Sequence, residues 1–320
     1  MIIAVIGLGS IGLRHARNLL AGGHTVIGYD PNPSAQERLK KVDGQPVATV
    51  ADALSRAEAA VVASPNDRHL SDLRQAIDAG CHVFVEKPLA HTAEGMCVLL
   101  DQAEEAGRVV FAGLNQRFNP SVAAARRIIG EGGIGKPLWG RFTCASYLPD
   151  WRPDQDYRRG YAADPRTGGV IFDIVHEFDI ANFLLGPAHT VTAAAQSSGW
   201  LELEAEDCAD IVLRHDNGSQ SSLHLDYLTR PSRRTAEVAG TDGFLVADVR
   251  GRAIEVRDAG DAVVFERDFD STAEQEYQAE MAQFIACIEG KETPMCDGRE
   301  ALSVLHQVLQ AREMCGLPRP

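Results

Sequence analysis

The chain has 320 residues, of which 45% are apolar and 24% charged, values that exclude a disordered, collagen-like or disulfide-scaffold protein. This length is about twice what one hydrophobic core usually organises, which predicts two domains. The 45 acidic and 31 basic residues leave a formal charge of −14, which would repel a phosphate polymer or an anionic bilayer. We therefore expect no nucleic acid and no membrane as partners.

The cysteines argue against a cross-linked or metal-binding framework. There are seven, scattered and never spaced as C-x-x-C, so neither disulfides nor a thiolate metal site is predicted. The chain opens with MIIAVIG, too short and uncharged for a signal peptide, and contains no run of eighteen apolar residues. We expect a soluble cytoplasmic protein.

Short apolar runs alternate with helix-length segments over the first 113 residues. This alternation predicts βαβ units and a doubly wound parallel sheet covered on both faces. Helices are predicted at residues 10–20, 67–79 and 92–106, each followed by a glycine suited to a left-handed cap. The predicted strands are residues 2–6, 24–29, 59–63, 82–85 and 109–112.

The first turn, residues 7–12, reads GLGSIG, a G-x-G-x-x-G between a predicted strand and a predicted helix. In such a turn the first glycine allows the tight bend, the second lets a pyrophosphate approach, and the third allows close packing of helix on strand. Asp30 ends the second strand, where its carboxylate would accept hydrogen bonds from the adenosine ribose hydroxyls. These features predict dinucleotide binding.

The predicted coenzyme is NAD rather than NADP, because the Asp30 carboxylate would repel a 2′-phosphate. Arg38, with Lys40 and Lys41 beside it, is the counter-evidence. These basic residues also suit a solvated helix face.

Ligands of doubly wound sheets bind beyond the carboxyl ends of the strands. Residues 64–69 follow the strand at 59–63, and Glu86-Lys87-Pro88 follows the strand at 82–85. Lys87 is therefore either a surface residue or a half-desolvated group for acid–base work beside substrate and coenzyme.

A second candidate site lies in residues 168–186, an apolar segment that predicts a buried helix. Asp173, His176 and Asp179 recur every third residue along one flank. Buried polar groups are either paired or used, so His176 is either a core histidine that orients a loop or a general base with a carboxylate neighbour. The three ionisable groups together favour the second interpretation.

These motifs carry a resemblance to a known family. GLGSIGLRHARNL, VVASPNDRH, VEKPLA, NQRFNP and the GG-to-HEFD segment resemble, in order and spacing, the Gfo/Idh/MocA oxidoreductases, the glucose-fructose oxidoreductase and inositol dehydrogenase family. The resemblance implies a Rossmann domain over residues 1–120. It implies over residues 121–320 an α+β domain with a large, mainly antiparallel open sheet that binds substrate and forms a homodimer or homotetramer.

The resemblance also implies an activity, namely metal-free, NAD(P)-dependent hydride transfer at a secondary hydroxyl or carbonyl of a sugar, sugar derivative or cyclitol. Lys87 corresponds to the lysine beside nicotinamide and substrate, and His176 to the general acid/base. Many members have an aspartate four residues before that histidine, whereas here position 172 is Phe172 and the aspartate is Asp173. Asp173 stays a catalytic candidate, because i−3 is also a neighbour on a helix.

The binding residues predicted in this way form two sets. Those predicted to bind coenzyme are Gly7, Gly9, Ser10, Ile11, Gly12, Asp30, Ser64, Pro65, Asn66, His69, Glu86, Lys87 and Asn115. Those predicted to bind substrate are Arg117, Trp151, Tyr157, Arg158, Tyr161, Asp173 and His176.

After residue 119 the pattern changes to strand candidates, with a hairpin signal at Asp216-Asn217-Gly218. The predicted strands are residues 139–147, 190–196, 208–214, 219–227, 235–240, 253–257 and 262–267, and the predicted helices are 121–129, 272–289 and 299–315.

Residues 148–167 lack periodicity and form a long loop with neighbouring aromatic and arginine side chains. Such loops are usually functional, although a solvated or oligomer-facing loop is the alternative. Arginines bind phosphate and carboxylate bidentately, so we expect a nucleotide sugar or an acidic sugar. The arginines concerned are Arg152, Arg158, Arg159, Arg166, Arg230, Arg233 and Arg234.

Two other functions are compatible with this fold at this point. One is a dinucleotide-binding sensor or structural protein without net redox chemistry. The other is a glycoside hydrolase that uses NAD only transiently.

Overall fold

The computed structural model describes residues 1–319 and contains two compact units. The first comprises Met1–Asn115 and Glu274–Leu305, and the second comprises Gln116–Ala273 with the chain from His306 onward. The sequence predicted one division at residues 120/121. The chain instead changes units after Asn115 and returns to the first unit at Glu274, a return that the sequence did not predict.

The first unit is built on six parallel strands in the order β3-β2-β1-β4-β5-β6. This is the order of a Rossmann sheet, so the predicted doubly wound fold is confirmed. Its elements are β1 (Ile2–Ile6), α1 (Ser10–Ala21), β2 (Thr25–Tyr29), α2 (Pro33–Lys40), β3 (Gln45–Pro46), α3 (Val50–Leu54), β4 (Ala59–Val62), α4 (Asn66–Asp78), β5 (His82–Glu86), α5 (Met96–Glu105) and β6 (Val110–Gly113).

The central strands are buried on both faces, as the apolar runs predicted; every residue of β4 is buried. Three elements escaped prediction, namely α2, β3 and α3, because a two-residue strand and five- to eight-residue helices give too little periodicity. The helix predicted from residue 92 begins only at Met96, since Gly95 before it has a left-handed φ of +72°.

The returning segment contributes most of α9 (Ala273–Ile288) and the start of α10 (Gly298–Met314) to the first unit. Glu274 binds α1, with its carboxylate 3.0 Å from Arg14 Nε and 3.0 Å from Asn18 Nδ2. The amide of Ala112 in β6 donates to the carbonyl of Cys296 at 3.1 Å. Hydrogen bonds and an ion pair thus attach the returning segment to α1 and β6 of the first unit.

The second unit is built on eight strands in the order β14-β13-β12-β11-β7-β10-β9-β8. Among the described strands of this second sheet, β7 and β10 form the one parallel pair, and all other neighbouring strands pair antiparallel. The predicted mainly antiparallel sheet is therefore confirmed. The elements are α6 (Pro120–Gly130), β7 (Pro137–Ala145), α7 (Gly169–Asp173), α8 (His176–Leu185), β8 (Ala188–Gln196), β9 (Cys208–His215), β10 (Gln220–Asp226), β11 (Arg233–Gly240), β12 (Gly243–Asp248), β13 (Ala253–Asp258), β14 (Val263–Asp268) and the end of α10.

One face of this sheet carries the core of the unit, where Phe142, Phe172 and Phe178 are fully buried. Large apolar side chains elsewhere on its strands are exposed, among them Trp139 at 40% and Val264 at 57%. Within residues 1–319, no helix is long and apolar enough to cross a membrane.

Candidate functional site

The glycine turn between β1 and α1 leaves no room for side chains at two of its positions. Gly7 has a φ of +88°, and a Cβ there would lie 2.6 Å from the backbone of Ala63 and Ser64. A Cβ on Gly12 would lie 1.9 Å from the Gly7 carbonyl oxygen. The tight turn and the close contact of α1 with it both require glycine.

Gly9 differs from its two neighbours in the motif. A Cβ on Gly9 would meet no atom within 4 Å, and Gly9 is the N-cap of α1 without any side-chain cap. The open space therefore lies at the positive end of a twelve-residue helix whose first amides point outward. Ser10 and Ile11 supply these amides, so this cradle fits a pyrophosphate.

These glycines yield a paired prediction. Gly9→Ala is expected to leave the free energy of unfolding within about 0.5 kcal/mol of wild type but to weaken NADH binding about tenfold, since the methyl group occupies the cradle. Gly12→Ala is expected to destabilise the fold by about 1–3 kcal/mol through overpacking. Urea unfolding and NADH fluorescence titration measure the two effects, and equal destabilisation by both substitutions would contradict the assignment.

Asp30 follows β2 and is fixed by the backbone. Its two carboxylate oxygens accept the amides of Leu8, at 2.7 Å, and Asn32, at 2.8 Å. Arg38 reaches the same turn, with Nη2 3.3 Å from the Leu8 carbonyl oxygen, while Lys40 pairs with Glu37 on α2. A carboxylate and a guanidinium therefore both lie next to the glycine turn.

The loops after β4 and β5 are joined by His69. This histidine is buried, and its Nδ1 and Nε2 lie 2.8 Å from the carbonyl oxygens of Pro88 and Ser64. Burial lowers its pKa, against the opposing effect of the two carbonyls. Both ring nitrogens lie at hydrogen-bonding distance from backbone carbonyls, and the contact of His69 with coenzyme stays a prediction. Pro65 is the N-cap of α4 and Asn66 its first residue. Asn115 donates to Glu276 at 3.4 Å.

Glu86 ends β5 and is likewise engaged inside the protein. Its Oε1 lies 2.6 Å from Nε2 of His15, and its Oε2 accepts the Lys87 amide at 3.1 Å. Burial opposes ionisation of Glu86, but His15 and Lys87 outweigh it and hold the pKa of the carboxyl below its ordinary value. The Glu86 carboxylate thus contacts the backbone of Lys87, and its contact with coenzyme stays a prediction. His15 was not predicted, since a lone histidine in an apolar helix carries no pattern.

In the second unit, the prediction of a single buried helix over residues 168–186 was wrong. The chain forms α7 and α8 with a break at Ile174, whose φ and ψ are −98° and 39°. The β-branched pairs Val170-Ile171 and Ile174-Val175 disfavour a continuous helix. Asp173 therefore ends one helix and His176 begins the next, so they are not i and i+3 on one face.

Asp173 is the acceptor of two tyrosine hydroxyls. Tyr161 donates to Oδ1 at 2.5 Å and Tyr227 donates to Oδ2 at 3.0 Å. Tyr227 is fully buried, and burial, followed by the charge of Asp173, raises its pKa well above the ordinary value. Trp151 packs its edge against the Tyr227 ring at 5.5 Å between centroids, whereas Tyr161 is 46% exposed. Four side chains distant in sequence thus form one network that ends in an accessible phenol.

The Asp173 network was predicted only in part. Trp151, Tyr161 and Asp173 were expected to bind substrate, while Tyr227 was missed because it directly follows β10 and reads as a buried strand residue. Phe172, which precedes Asp173, lies under the guanidinium of Arg312, which is 4.4 Å from the ring centroid.

Two of the predicted arginines, Arg117 and Arg234, form ion pairs with carboxylates inside the second unit. Arg117 is buried and forms an ion pair, with Nη2 and Nε 2.6 and 3.0 Å from Oδ1 of Asp179, and its contact with substrate stays a prediction. Arg234 binds Glu177 through Nε and Nη2 at 2.7 and 3.0 Å. Asp179 and Glu177 are thereby neutralised.

The two remaining predicted substrate residues belong to a loop contact. The Tyr157 hydroxyl donates to the Leu201 carbonyl at 3.3 Å, and Arg158 is exposed and pairs with Asp156 at 2.9 Å and Glu202 at 2.8 Å. Both tie residues 156–158 to residues 201–202.

Comparison with known proteins identifies the family. Residues 1–114 match the oxidoreductase family with an NAD-binding Rossmann fold, and residues 122–246 match the GFO/IDH/MocA C-terminal domain. The chain belongs to the Gfo/Idh/MocA oxidoreductase family. It is accordingly an NAD(P)-dependent dehydrogenase or reductase that acts on CH–OH groups.

Named relatives cover most of the chain. It is 26% identical over 315 residues to scyllo-inositol 2-dehydrogenase (NAD(+)) of Bacillus subtilis strain 168, covering 91% of this chain and 87% of that one. It is 31% identical over 253 residues to 1,5-anhydro-D-fructose reductase of Ensifer adhaerens, covering 77% and 73%. The solved WlbA dehydrogenase of Bordetella pertussis, in complex with NADH and UDP-GlcNAcA, shares the fold with a TM-score of 0.83, 22% identity and coverage of 100% and 98%.

Proposed function

We propose that this family member transfers a hydride between NAD and a secondary hydroxyl or carbonyl of an anionic sugar derivative, with Lys87 and His176 as the acid–base pair. The observation that supports coenzyme binding is the open cradle at Gly9, at the N-terminus of α1, which has no side-chain cap. Gly7, Gly9, Gly12 and Asp30 would hold the dinucleotide, which supplies the hydride acceptor at its nicotinamide ring when bound.

Lys87 is proposed as catalytic because of its place on the sheet. It directly follows β5, and the glycine turn directly follows β1; in a parallel sheet both ends lie at one edge, separated by β4 alone. A lysine at this edge can donate a hydrogen bond to the reacting oxygen and stabilise the negative charge that develops there.

His176 is proposed to take the proton of the substrate hydroxyl during oxidation and to return it during reduction. It is the first residue of α8 and almost wholly buried. Asp173 is proposed to act through Tyr161, since its carboxylate orients the exposed phenol that meets the sugar. Each proposed role follows from the position of the residue within its own unit.

The proposed preference for NAD over NADP rests on Asp30 and is testable by one substitution. Asp30→Asn removes the charge that repels a 2′-phosphate, an interaction worth about 1–4 kcal/mol at close range, and leaves Arg38 in place. The ratio of kcat/KM with NADP to that with NAD is expected to rise at least about fivefold. Asp43→Asn, an exposed aspartate in a nearby turn, is the charge-matched control, and a wild type that prefers NADP would contradict the proposal.

The proposed anionic substrate rests on Arg230 rather than on the whole predicted arginine set. Arg158 and Arg234 pair with carboxylates inside the protein. Arg230 is exposed, and its guanidinium lies 3.9 Å above the Tyr147 ring, which leaves its N–H edge available for an anion. Tyr147 and Arg230 follow the neighbouring strands β7 and β10 at the sheet end that also carries Tyr227.

A substrate panel tests this function. NAD reduction is measured with myo-inositol, scyllo-inositol and glucose, and with UDP-N-acetylglucosamine and its uronate. We expect turnover to be highest with the charged compounds, and Arg230→Gln to raise their KM while leaving that of the neutral compounds unchanged. Preference for the neutral compounds would overturn the anionic assignment, and release of a leaving group without net NADH formation would indicate a hydrolase.

We also propose a homodimer or homotetramer assembled through the eight-stranded sheet. The exposed Trp139 and Val264 on its strands, together with Val191 on β8, support an apolar contact. Analytical ultracentrifugation measures the mass, and a monomer at micromolar concentration would contradict this assembly.

A further inference from the structure

His15 lies at the junction of the glycine-turn helix and the strand that leads to Lys87. Its side chain is fully buried on α1, and its Nε2 is 2.6 Å from Glu86 Oε1. The second oxygen of the same carboxylate accepts the Lys87 amide at 3.1 Å. A continuous chain of hydrogen bonds thus runs from α1 through Glu86 to the backbone of Lys87.

Aromatic rings hold the His15 imidazole in this position. Phe84 meets it edge-on at 5.0 Å between centroids, and Tyr277 of α9 meets it at 6.0 Å. The guanidinium of Arg14 covers the Tyr277 ring at 4.5 Å and pairs with Glu274. These groups enclose the imidazole, so close packing holds it beside Glu86.

The charge on Glu86 requires His15 as a donor. A buried carboxylate is costly unless hydrogen bonds compensate for the lost water, and His15 supplies the bond from the helix side. Among the residues described, no hydrogen-bond partner reaches His15 Nδ1, so the contact of Nε2 with Glu86 is the hydrogen bond that orients the ring. The other ionisable groups facing the pair are Lys87, Arg14, Glu280 and Tyr277, and burial, followed by the charge of Glu86, raises the Tyr277 pKa to about 12.

We propose that His15 is a positioning residue for Lys87: it anchors the Glu86 carboxylate, and that carboxylate fixes the backbone from which the lysine projects. The geometry couples α1, whose N-terminus forms the pyrophosphate cradle, to the residue proposed to contact the reacting oxygen. The kinetic part of this inference rests on the proposed role of Lys87.

A double-mutant cycle on kcat tests the linkage, using the panel compound with the highest turnover. His15→Leu and Glu86→Gln are each expected to lower kcat about 10- to 100-fold, the effect of losing a hydrogen bond to a charged group. In the Glu86→Gln background, His15→Leu is expected to add little, since residues acting in one chain are non-additive. His15→Gln keeps an N–H donor and is expected to lie nearer to wild type than His15→Leu.

A second measurement needs neither substrate nor turnover. The chain has five lysines, so reductive ¹³C-methylation gives a few resolvable lysine signals, and loss of one signal in Lys87→Arg assigns Lys87. His15→Leu and Glu86→Gln are expected to shift this signal in the same direction, and the double variant to shift it no further. The Lys136 and Lys291 signals serve as internal controls.

His82→Leu is the matched variant control, because His82 begins β5 at the end opposite Glu86 and binds the Val109 amide. It should leave the Lys87 signal in place. An unmoved Lys87 signal in His15→Leu, or effects of His15→Leu and Glu86→Gln that add in the double variant, would overturn the inference. If Lys87 itself proves dispensable for activity, the signal shifts still report whether His15 positions it.

Discussion

Replacing Lys87 or His176 by alanine is expected to lower kcat by about 10²–10⁴ while coenzyme affinity stays near the wild-type value. This range is typical of a positioned acid–base group. The glycine turn and Asp30, which are proposed to hold most of the dinucleotide, keep their geometry in both variants. Stopped-flow measurement of NADH formation gives kcat, and NADH fluorescence titration gives the dissociation constant.

Two control variants match these substitutions. Lys136 also precedes a proline and lies outside the site, and His189 is exposed on β8, so Lys136→Ala and His189→Ala should retain full activity. Full activity of both Lys87→Ala and His176→Ala would remove the proposed acid–base pair.

Arg312→Met is expected to destabilise the protein by about 3–5 kcal/mol, the cost of leaving one partner of a buried ion pair alone. Arg312 and Glu206 are both almost fully buried, with Nη1 3.2 Å from Oε1. The guanidinium also donates to the carbonyls of Pro165, at 2.8 Å, and Gly168, at 3.3 Å. The same Glu206 oxygen accepts the Ile171 amide at 3.2 Å, so the pair joins α10 to the start of α7.

Urea unfolding of three variants separates the ion pair from simple packing loss. Glu206→Leu should also destabilise the fold, whereas the double variant Arg312→Met/Glu206→Leu should recover part of the loss, because apolar replacement of both partners leaves no isolated charge. Strictly additive losses in the double variant would show that the two side chains act independently.

The coenzyme half of the fold was predictable because its signals are local. Strands such as β4 are apolar on both faces, and the glycine motif lies between a strand and a helix. The split of residues 168–186 into α7 and α8 was not predictable from apolar periodicity. Contacts from Glu206 hold α7, through the Val170 amide at 3.1 Å and the Ile171 amide, and these contacts come from residues far along the chain.

The residues of the candidate site divide in the same way, into those with a local sequence signal and those that depend on a distant partner. Motif spacing predicted the glycine turn, Asp30, Lys87 and His176 as site residues. Contacts that depend on a distant partner were not predicted. The contact of His15 with Glu86 and the ion pair of Arg117 with Asp179 join residues that are far apart in the sequence and meet only in the folded chain. Charge alone did not distinguish arginines that bind ligands from arginines that neutralise buried carboxylates.

The return of Glu274–Leu305 to the first unit has a consequence for biosynthesis. Domains usually fold as they leave the ribosome, the N-terminal one first. Here α9 supplies Tyr277 and Glu274 to the surroundings of α1, so the coenzyme-binding unit lacks part of its packing until residue 305 has been made. The 158 residues of Gln116–Ala273 are synthesised in between. Both units therefore depend on the end of the chain, because α9 and the start of α10 complete the first unit and the residues from His306 onward, with the buried Arg312, complete the second.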